Sequence, residues 1–184
     1  MLKTQQLFLL LALFAILTAG CKKDDEVIPE DEQELITTIQ LTLTNVTNST
    51  EVVTATWRDT DGPGGTAPVI TVLNLRANVT YTGVIEFLDE SQPATPENIT
   101  EEIEEEGEDH EIFYVVSGAN LTVTSRNTDN NGLALGTSAN FASGASSTGT
   151  LKVVLKHKPG SKAANDPVTK GETDIDADFP LQIQ

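Results

Sequence analysis

The sequence predicts an all-β fold, an immunoglobulin-like β-sandwich of about eight short strands with one short acidic helix. Apolar and polar residues alternate in several short segments, which is the pattern of a half-buried strand. Clusters of glycine, proline, asparagine and aspartate separate these segments, as expected of turns. Aromatic residues make up only 5% of the chain, whereas the β-branched residues that suit a pleated sheet are frequent.

The first half of the chain contains four predicted strands, at residues 39–44, 53–58, 69–75 and 79–87. A polar turn is expected at residues 45–50 and a loop at residues 59–68, because the latter segment holds three glycines and two prolines. Trp57, the single tryptophan, falls in the second strand. We interpret it as an anchor of the core.

The one predicted helix covers residues 96–106. Thr95 can cap it, proline suits its first position, and Ile99 and Ile103 lie on one face at a spacing of four residues. This arrangement predicts a short helix that lies over the sheets.

The second half contains five further predicted strands, at residues 112–116, 121–125, 133–141, 151–155 and 175–183. Asp174, Asp176 and Asp178 alternate with the apolar residues of the last strand, so they face away from the core. If the last two strands pair, Lys152 and Lys156 lie opposite this aspartate row. The row would then protect a sheet edge and fix the register.

The first 20 residues are predicted to be a lipoprotein signal peptide. The apolar run from Leu7 to Leu17 is shorter than the ~20 residues that cross a bilayer as a helix, although a permanent transmembrane helix is the alternative. The stretch from Leu17 to Cys21 resembles a bacterial lipobox, in which the cysteine thiol carries a diacylglyceryl group. Cys21 is therefore the predicted lipidation site, and its several acyl chains would hold the protein stably on a membrane.

Residues 21–34 are predicted to form an acidic tether, and residues 35–184 to form the β-sandwich domain. The stretch from Lys22 to Glu26 is similar to the export signal that sends Bacteroidota lipoproteins to the outer cell surface. The predicted location is thus the cell outer membrane, through a lipid anchor that faces the exterior. The net charge of −17, from 28 acidic and 11 basic residues, argues against nucleic-acid binding.

Two acidic segments are candidate cation sites. Asp59 and Asp61 lie in the long loop, where two carboxylates could begin a calcium site. Glu105, Asp109 and His110 belong to an acidic run in which imidazole and carboxylates together suit zinc. Charge runs are more often solvated faces, and this is the alternative to a cation site. The cation predicted for these segments is Ca²⁺ or Zn²⁺. The fold itself is expected to require no cofactor.

A third candidate is a calcium-like turn at Asn127, Asp129 and Asn131. These residues and Gly132 match the first half of an EF-hand loop. The match then fails, because Ser138 occupies the position at which a bidentate glutamate is needed. An ordinary hairpin turn has the same composition.

Nothing in the sequence marks a catalytic site. The segment from Gly144 to Gly149 is not a nucleophile elbow, no phosphate-binding loop occurs, and no pair of carboxylates stands apart as acid and base. A non-enzymatic binding or accessory module is therefore expected, possible partners being an outer-membrane transporter or another surface protein. Cation binding is the first alternative, and hydrolase activity is the second.

Several stretches resemble a family of small uncharacterised lipoproteins of marine and soil Bacteroidota: 56–62, 99–106, 109–111, 155–159 and 171–175. The resemblance covers residues 35–184 and implies an outer-membrane lipoprotein, but the family has no established activity. Some members carry a name that refers to a type 1 periplasmic-binding fold. That fold requires many alternating strands and helices, whereas this sequence predicts one helix.

Overall fold

Two β-sheets pack against each other in the computed structural model, which describes residues 35–62 and 64–184. The all-β class is confirmed, while the immunoglobulin-like connectivity stays a prediction. The predicted signal peptide, the tether and Cys21 lie outside the described residues. Within the described part, no helix has the length and apolar character needed to span a membrane.

The described residues form eleven strands and one helix, in the order β1 (Thr38–Asn45), β2 (Asn48–Arg58), β3 (Val69–Ile70), β4 (Leu73–Leu75), β5 (Thr80–Asp89), β6 (Glu97–Asn98), α1 (Ile99–Glu105), β7 (His110–Ser117), β8 (Leu121–Thr124), β9 (Ser138–Ser143), β10 (Ser147–His157) and β11 (Glu172–Ile183). One sheet has the order β3-β2-β1-β5-β9-β8, with β6 added to β5. The other sheet has the order β4-β11-β10-β7.

The edges of the two sheets meet between β3 and β4. β3 pairs with the end of β2 in the first sheet, and β4 pairs in parallel with the end of β11 in the second. Only residues 71 and 72 join β3 to β4. The predicted single strand at 69–75 is therefore wrong, because the chain crosses there from one sheet to the other.

The core lies between the sheets and is built from the predicted inward faces. Tyr81, Phe87, Phe141 and Phe179 are its largest apolar or aromatic side chains with almost no exposed surface. Gly83 allows β5 to approach its neighbours, since a Cβ atom there would lie 2.4 Å from a ring carbon of Phe141. Apolar burial on this scale is the main favourable term in folding.

The helix begins later than the sequence predicts. Residues 97 and 98 pair with β5, so the helix starts at Ile99 and Asn98 caps it by accepting a hydrogen bond from the Thr100 N–H. The predicted cap at Thr95 is wrong for this reason. Ile99 and Ile103 are buried as expected.

The two lysines of β10 behave differently. Lys152 lies opposite Asp178 and forms ion pairs with Asp176 at 2.7 Å and with Asp178 at 3.4 Å, as predicted. A register shift follows Leu155, so Lys156 lies opposite Thr173 and donates to its Oγ1 at 2.7 Å. Lys156 therefore lies opposite a threonine, and its predicted position opposite the aspartate row is wrong.

Candidate functional site

An open cleft lies where the edges of the two sheets meet. We call it the Trp57 cleft, and it has a volume of about 610 Å³, which is within the range of ligand pockets. The first sheet and the segments that flank it contribute Leu35, Ile36, Trp57, Asp59, Gly62 and Pro68, and β11 contributes Thr173, Asp174, Ile175 and Asp176. The lining therefore combines apolar side chains, one indole and three carboxylates.

Trp57 is the penultimate residue of β2, just before the long loop. Its neighbour Ala55 is fully buried, but Trp57 itself is only half-buried and packs against the edge of the core. The sequence interpretation as a core anchor is thus only partly right. A tryptophan at the end of a strand, directly before a loop rich in glycine and proline, is the signal that could have indicated this position.

Asp59 follows Trp57 and is held in place by its backbone. Its N–H donates to the Thr37 carbonyl oxygen at 2.8 Å, which continues the pairing of β2 beyond the strand. Its carboxylate Oδ1 is buried and has no hydrogen-bond partner among the described residues. A buried acceptor without a donor is costly, so this oxygen is suited to a group that enters the cleft.

Asp61, the other aspartate predicted for this loop, has a structural role. Its Oδ2 accepts the Thr66 N–H at 2.8 Å, which closes the loop. This backbone hydrogen bond holds the pKa of Asp61 below its usual value. Asp61 does not line the Trp57 cleft, but its side chain interacts with that of Asp59, which also lowers the pKa of Asp61.

The three residues predicted as a zinc site in the acidic run, Glu105, Asp109 and His110, have different surroundings in the structure. Glu105 is exposed on α1, while Asp109 Oδ1 accepts the Gly160 N–H at 2.9 Å. His110 is buried, its Nδ1 lies 3.2 Å from the Glu106 carbonyl oxygen, and its ring stacks on His157 at 4.8 Å. Burial lowers the pKa of His110, which favours the neutral ring.

The calcium-like turn is closed by hydrogen bonds within the chain. Asp129 Oδ1 accepts the N–H groups of Asn131 and Leu133, and its Oδ2 binds Lys162 at 2.7 Å. Burial raises the pKa of Asp129, but these partners outweigh burial and leave the pKa below its usual value. Asn127 Oδ1 likewise accepts two backbone N–H groups across the loop.

No group of three or more histidine, cysteine or acidic side chains in the described residues is arranged to hold a metal ion. Binding of Ca²⁺ or Zn²⁺ stays a prediction.

A buried network of charges lies just after the C-terminal end of β10, and the sequence analysis missed it. Lys158 has no exposed side-chain surface, and its Nζ donates to Glu111 Oε2 at 2.5 Å. Arg126 donates to the other oxygen of Glu111 at 2.8 Å. Both cations also approach the ring of Phe113, at 4.7 and 5.2 Å.

The loop after β10 is fastened to this network. Asp166 lies 3.6 Å from Lys158 and binds Lys170 at 3.0 Å, while Lys162 reaches Asp129. We call these side chains the ionic network. Lysines clustered in an otherwise acidic chain, from Lys156 to Lys170, are the signal that could have revealed it.

Comparison with known proteins finds no match among family models, curated proteins or solved structures. The resemblance to Bacteroidota lipoproteins therefore stays a prediction.

Proposed function

We propose that the protein is a lipid-anchored outer-membrane protein whose β-sandwich is a non-enzymatic binding module for another envelope protein, such as a transporter. The Trp57 cleft is its contact surface. The single observation that carries the binding role is the cleft itself. A half-buried indole lines it together with a buried carboxylate oxygen of Asp59 that has no hydrogen-bond partner among the described residues.

The rest of the surface supports this assignment. Within the part of the chain that the structure describes, seven large apolar side chains are more than 40% exposed. Leu35 is one of them and lines the cleft, and Val69 is another and follows the lining residue Pro68. Aromatic and apolar residues at the centre of a contact, surrounded by polar ones, are typical of a protein interface. Asp61, Asp109 and Asp129 are engaged in loop hydrogen bonds and ion pairs, which favours a structural role for these three side chains over catalysis.

The anchor rests on the sequence around Cys21. We expect the wild-type protein to fractionate with the outer membrane and to be cleaved by protease on intact cells. Cys21→Ser should leave the membrane fraction, because the acyl chains that hold the protein would be absent. A Cys21→Ser protein that stays in the membrane fraction would contradict the anchor.

The contact surface is tested by capture from cells. A tagged wild-type protein is cross-linked in intact cells and the captured envelope proteins are identified. Trp57→Ala should lose a partner that the wild type captures, because the central aromatic contact is removed. The matched control is Val84→Ala, which truncates an apolar side chain that is 53% exposed outside the cleft. Equal loss in both variants, or in neither, would refute the role of the cleft.

A further inference from the structure

We propose that the side chains of Lys158 and Asp166 join in a covalent amide, and that Glu111 moves the protons of this reaction. The bond is a modification that the folded chain makes in its own interior. It is independent of the proposed binding role of the Trp57 cleft. The geometry of the ionic network and the surroundings of Asp166 lead to it.

The two reacting groups are close together and shielded from water. Lys158 Nζ lies 3.6 Å from Asp166 Oδ2, and the exposed fractions of the two side chains are 0% and 9%. This separation is close to the ~3–3.5 Å at which positioned groups react. The ring of Phe113, whose centre lies 4.7 Å from Nζ, adds an apolar wall. Exclusion of water favours a condensation, because water is its second product.

Glu111 is placed to take a proton from the lysine. Its Oε2 accepts a hydrogen bond from Lys158 Nζ at 2.5 Å, and its side chain is only 4% exposed. Arg126 binds the other oxygen, Oε1, at 2.8 Å and so fixes the orientation of the carboxylate. A nucleophile beside a base that a third group orients is the arrangement that activates nucleophiles in enzymes.

Two donors hold the carboxylate of Asp166. Lys170 Nζ donates to Oδ1 at 3.0 Å, and the Ala163 N–H donates to Oδ2 at 2.8 Å. Donors aimed at these oxygens stabilise the negative charge that builds there when a nucleophile attacks the carboxyl carbon. Pro167 follows Asp166 and has no N–H. Cyclisation of Asp166 onto the next backbone nitrogen, which would compete with Lys158, is therefore blocked.

The reaction balances with the groups that are present. Glu111 takes one proton from the Lys158 ammonium and passes it to an oxygen of Asp166. The electron pair of Nζ then forms a bond with Cγ of Asp166. A second proton leaves Nζ through Glu111 for the same oxygen, the bond between Cγ and that oxygen breaks, and water departs. The three hydrogens of the ammonium become one on the amide and two on the water, and nothing is oxidised or reduced.

A second buried pair in the same network lacks the base. Lys162 Nζ lies 2.7 Å from Asp129 Oδ2, and its other hydrogen bond goes to the Gly107 carbonyl oxygen at 2.6 Å. A carbonyl oxygen does not take up a proton as a carboxylate does, and Asp129 is the one ion-pair partner of Lys162 among the described residues. We therefore expect one amide in this network and not two.

Mass spectrometry tests the bond directly. No glutamate lies between Glu111 and Glu172, so a protease that cuts after glutamate releases peptide 112–172 from the purified, denatured full-length protein. We expect its mass to be one water molecule below that of its sequence. Backbone breaks between residues 158 and 166 should release no fragment, because the amide closes a ring that keeps both sides attached. A wild-type peptide of full mass would overturn the proposal, whatever the folding of any variant.

A variant without the carboxyl group locates the bond. Asp166→Ala cannot form the amide, so the same peptide should have the full mass of its sequence. The matched control Glu105→Gln changes an exposed acidic side chain of α1 and should lose the water as the wild type does. A loss of water that persists in Asp166→Ala would place the modification elsewhere and overturn the proposal.

Two variants test the part played by Glu111. Glu111→Gln keeps the size of the side chain without its base, so the peptide, now cut after Glu108, should have full mass. Glu111→Asp keeps a carboxylate on a shorter side chain and should restore part of the linkage, which a purely structural role would not require. Linkage at the wild-type level in Glu111→Gln would overturn the role of Glu111.

Discussion

The ionic network and the Trp57 cleft both contain carboxylates beside an aromatic ring, but they differ in how those carboxylates are partnered. Glu111 binds Lys158 and Arg126, and Asp129 binds Lys162, all with side chains at most 28% exposed. Asp59 in the cleft keeps a buried oxygen without a described partner. Carboxylates paired within the chain hold the fold together, whereas a carboxylate left without a partner beside an open cavity is suited to a ligand.

Removal of a charge from the ionic network should have the largest effect on stability. Glu111→Gln removes the closest counter-charge of the buried Lys158 and the partner of Arg126, and leaves Lys158 only the more distant Asp166 at 3.6 Å. Loss of one partner from a buried pair costs about 3–5 kcal/mol. Urea unfolding of the two proteins measures the difference. The matched control Glu105→Gln changes an exposed side chain and should stay within about 0.5 kcal/mol of the wild type. Similar values for both variants would show that the network does not stabilise the fold.

Protonation of His110 at low pH should also lower the free energy of unfolding, but by less than Glu111→Gln does. Burial holds the folded-state pKa of His110 below its unfolded value, so the unfolded chain takes up the proton more readily. Stability is therefore complete above the unfolded pKa of about 6.5 and declines as the pH falls through it toward the folded-state pKa. His157, Asp109 and Lys162 also act on this ring.

The measurement is the free energy of unfolding between about pH 7.5 and 5.5, a window around the ordinary histidine pKa. His110→Gln should flatten the decline over this range, because the titrating ring is removed. An unchanged slope in the variant would assign the pH dependence to other groups.

The ion pairs of Lys152 should matter still less for stability. Lys152 is 36% exposed and its aspartate partners are more than half exposed, so Lys152→Ala should cost only about 0.2–1 kcal/mol. Urea unfolding of the variant and the wild type measures the difference. A cost of several kcal/mol would show that these exposed ion pairs stabilise the fold as much as buried ones do.

The smallest effect on stability is expected at Asp59. Asp59→Asn removes a charge whose buried oxygen has no described partner, so the free energy of unfolding should change by less than about 0.5 kcal/mol, or rise. Urea unfolding of Asp59→Asn and the wild type measures the change. A loss of several kcal/mol would instead identify Asp59 as a structural residue.

Alternation along the chain was enough to predict the all-β class and the inward faces. Tyr81, Ile85 and Phe87 are fully buried as their spacing indicates, because a pleated strand presents alternate residues to one side. The paired helix residues Ile99 and Ile103 are buried for the corresponding reason in a helix.

The lysine cluster and the position of Trp57 are signals for the ionic network and the cleft, but the partners of these residues could not be predicted, because both sites depend on which distant segments meet. Trp57 and Ile175 line one cavity only because β2 and β11 lie at adjoining sheet edges. Lys158 finds Glu111 only because β10 pairs with β7. Alternation reports which side of a strand is buried but carries no information on which strands become neighbours.

The pairing of Leu73 with Leu181 joins segments that are far apart in the chain. Closing so long a loop costs entropy before any contact repays it, and folds dominated by such closures assemble slowly. β4 has no other strand partner among the described residues, so it can join a sheet only after β11 has formed. The Trp57 cleft, whose lining joins the end of β2 to the same strand β11, should likewise be one of the last parts of the domain to form during folding.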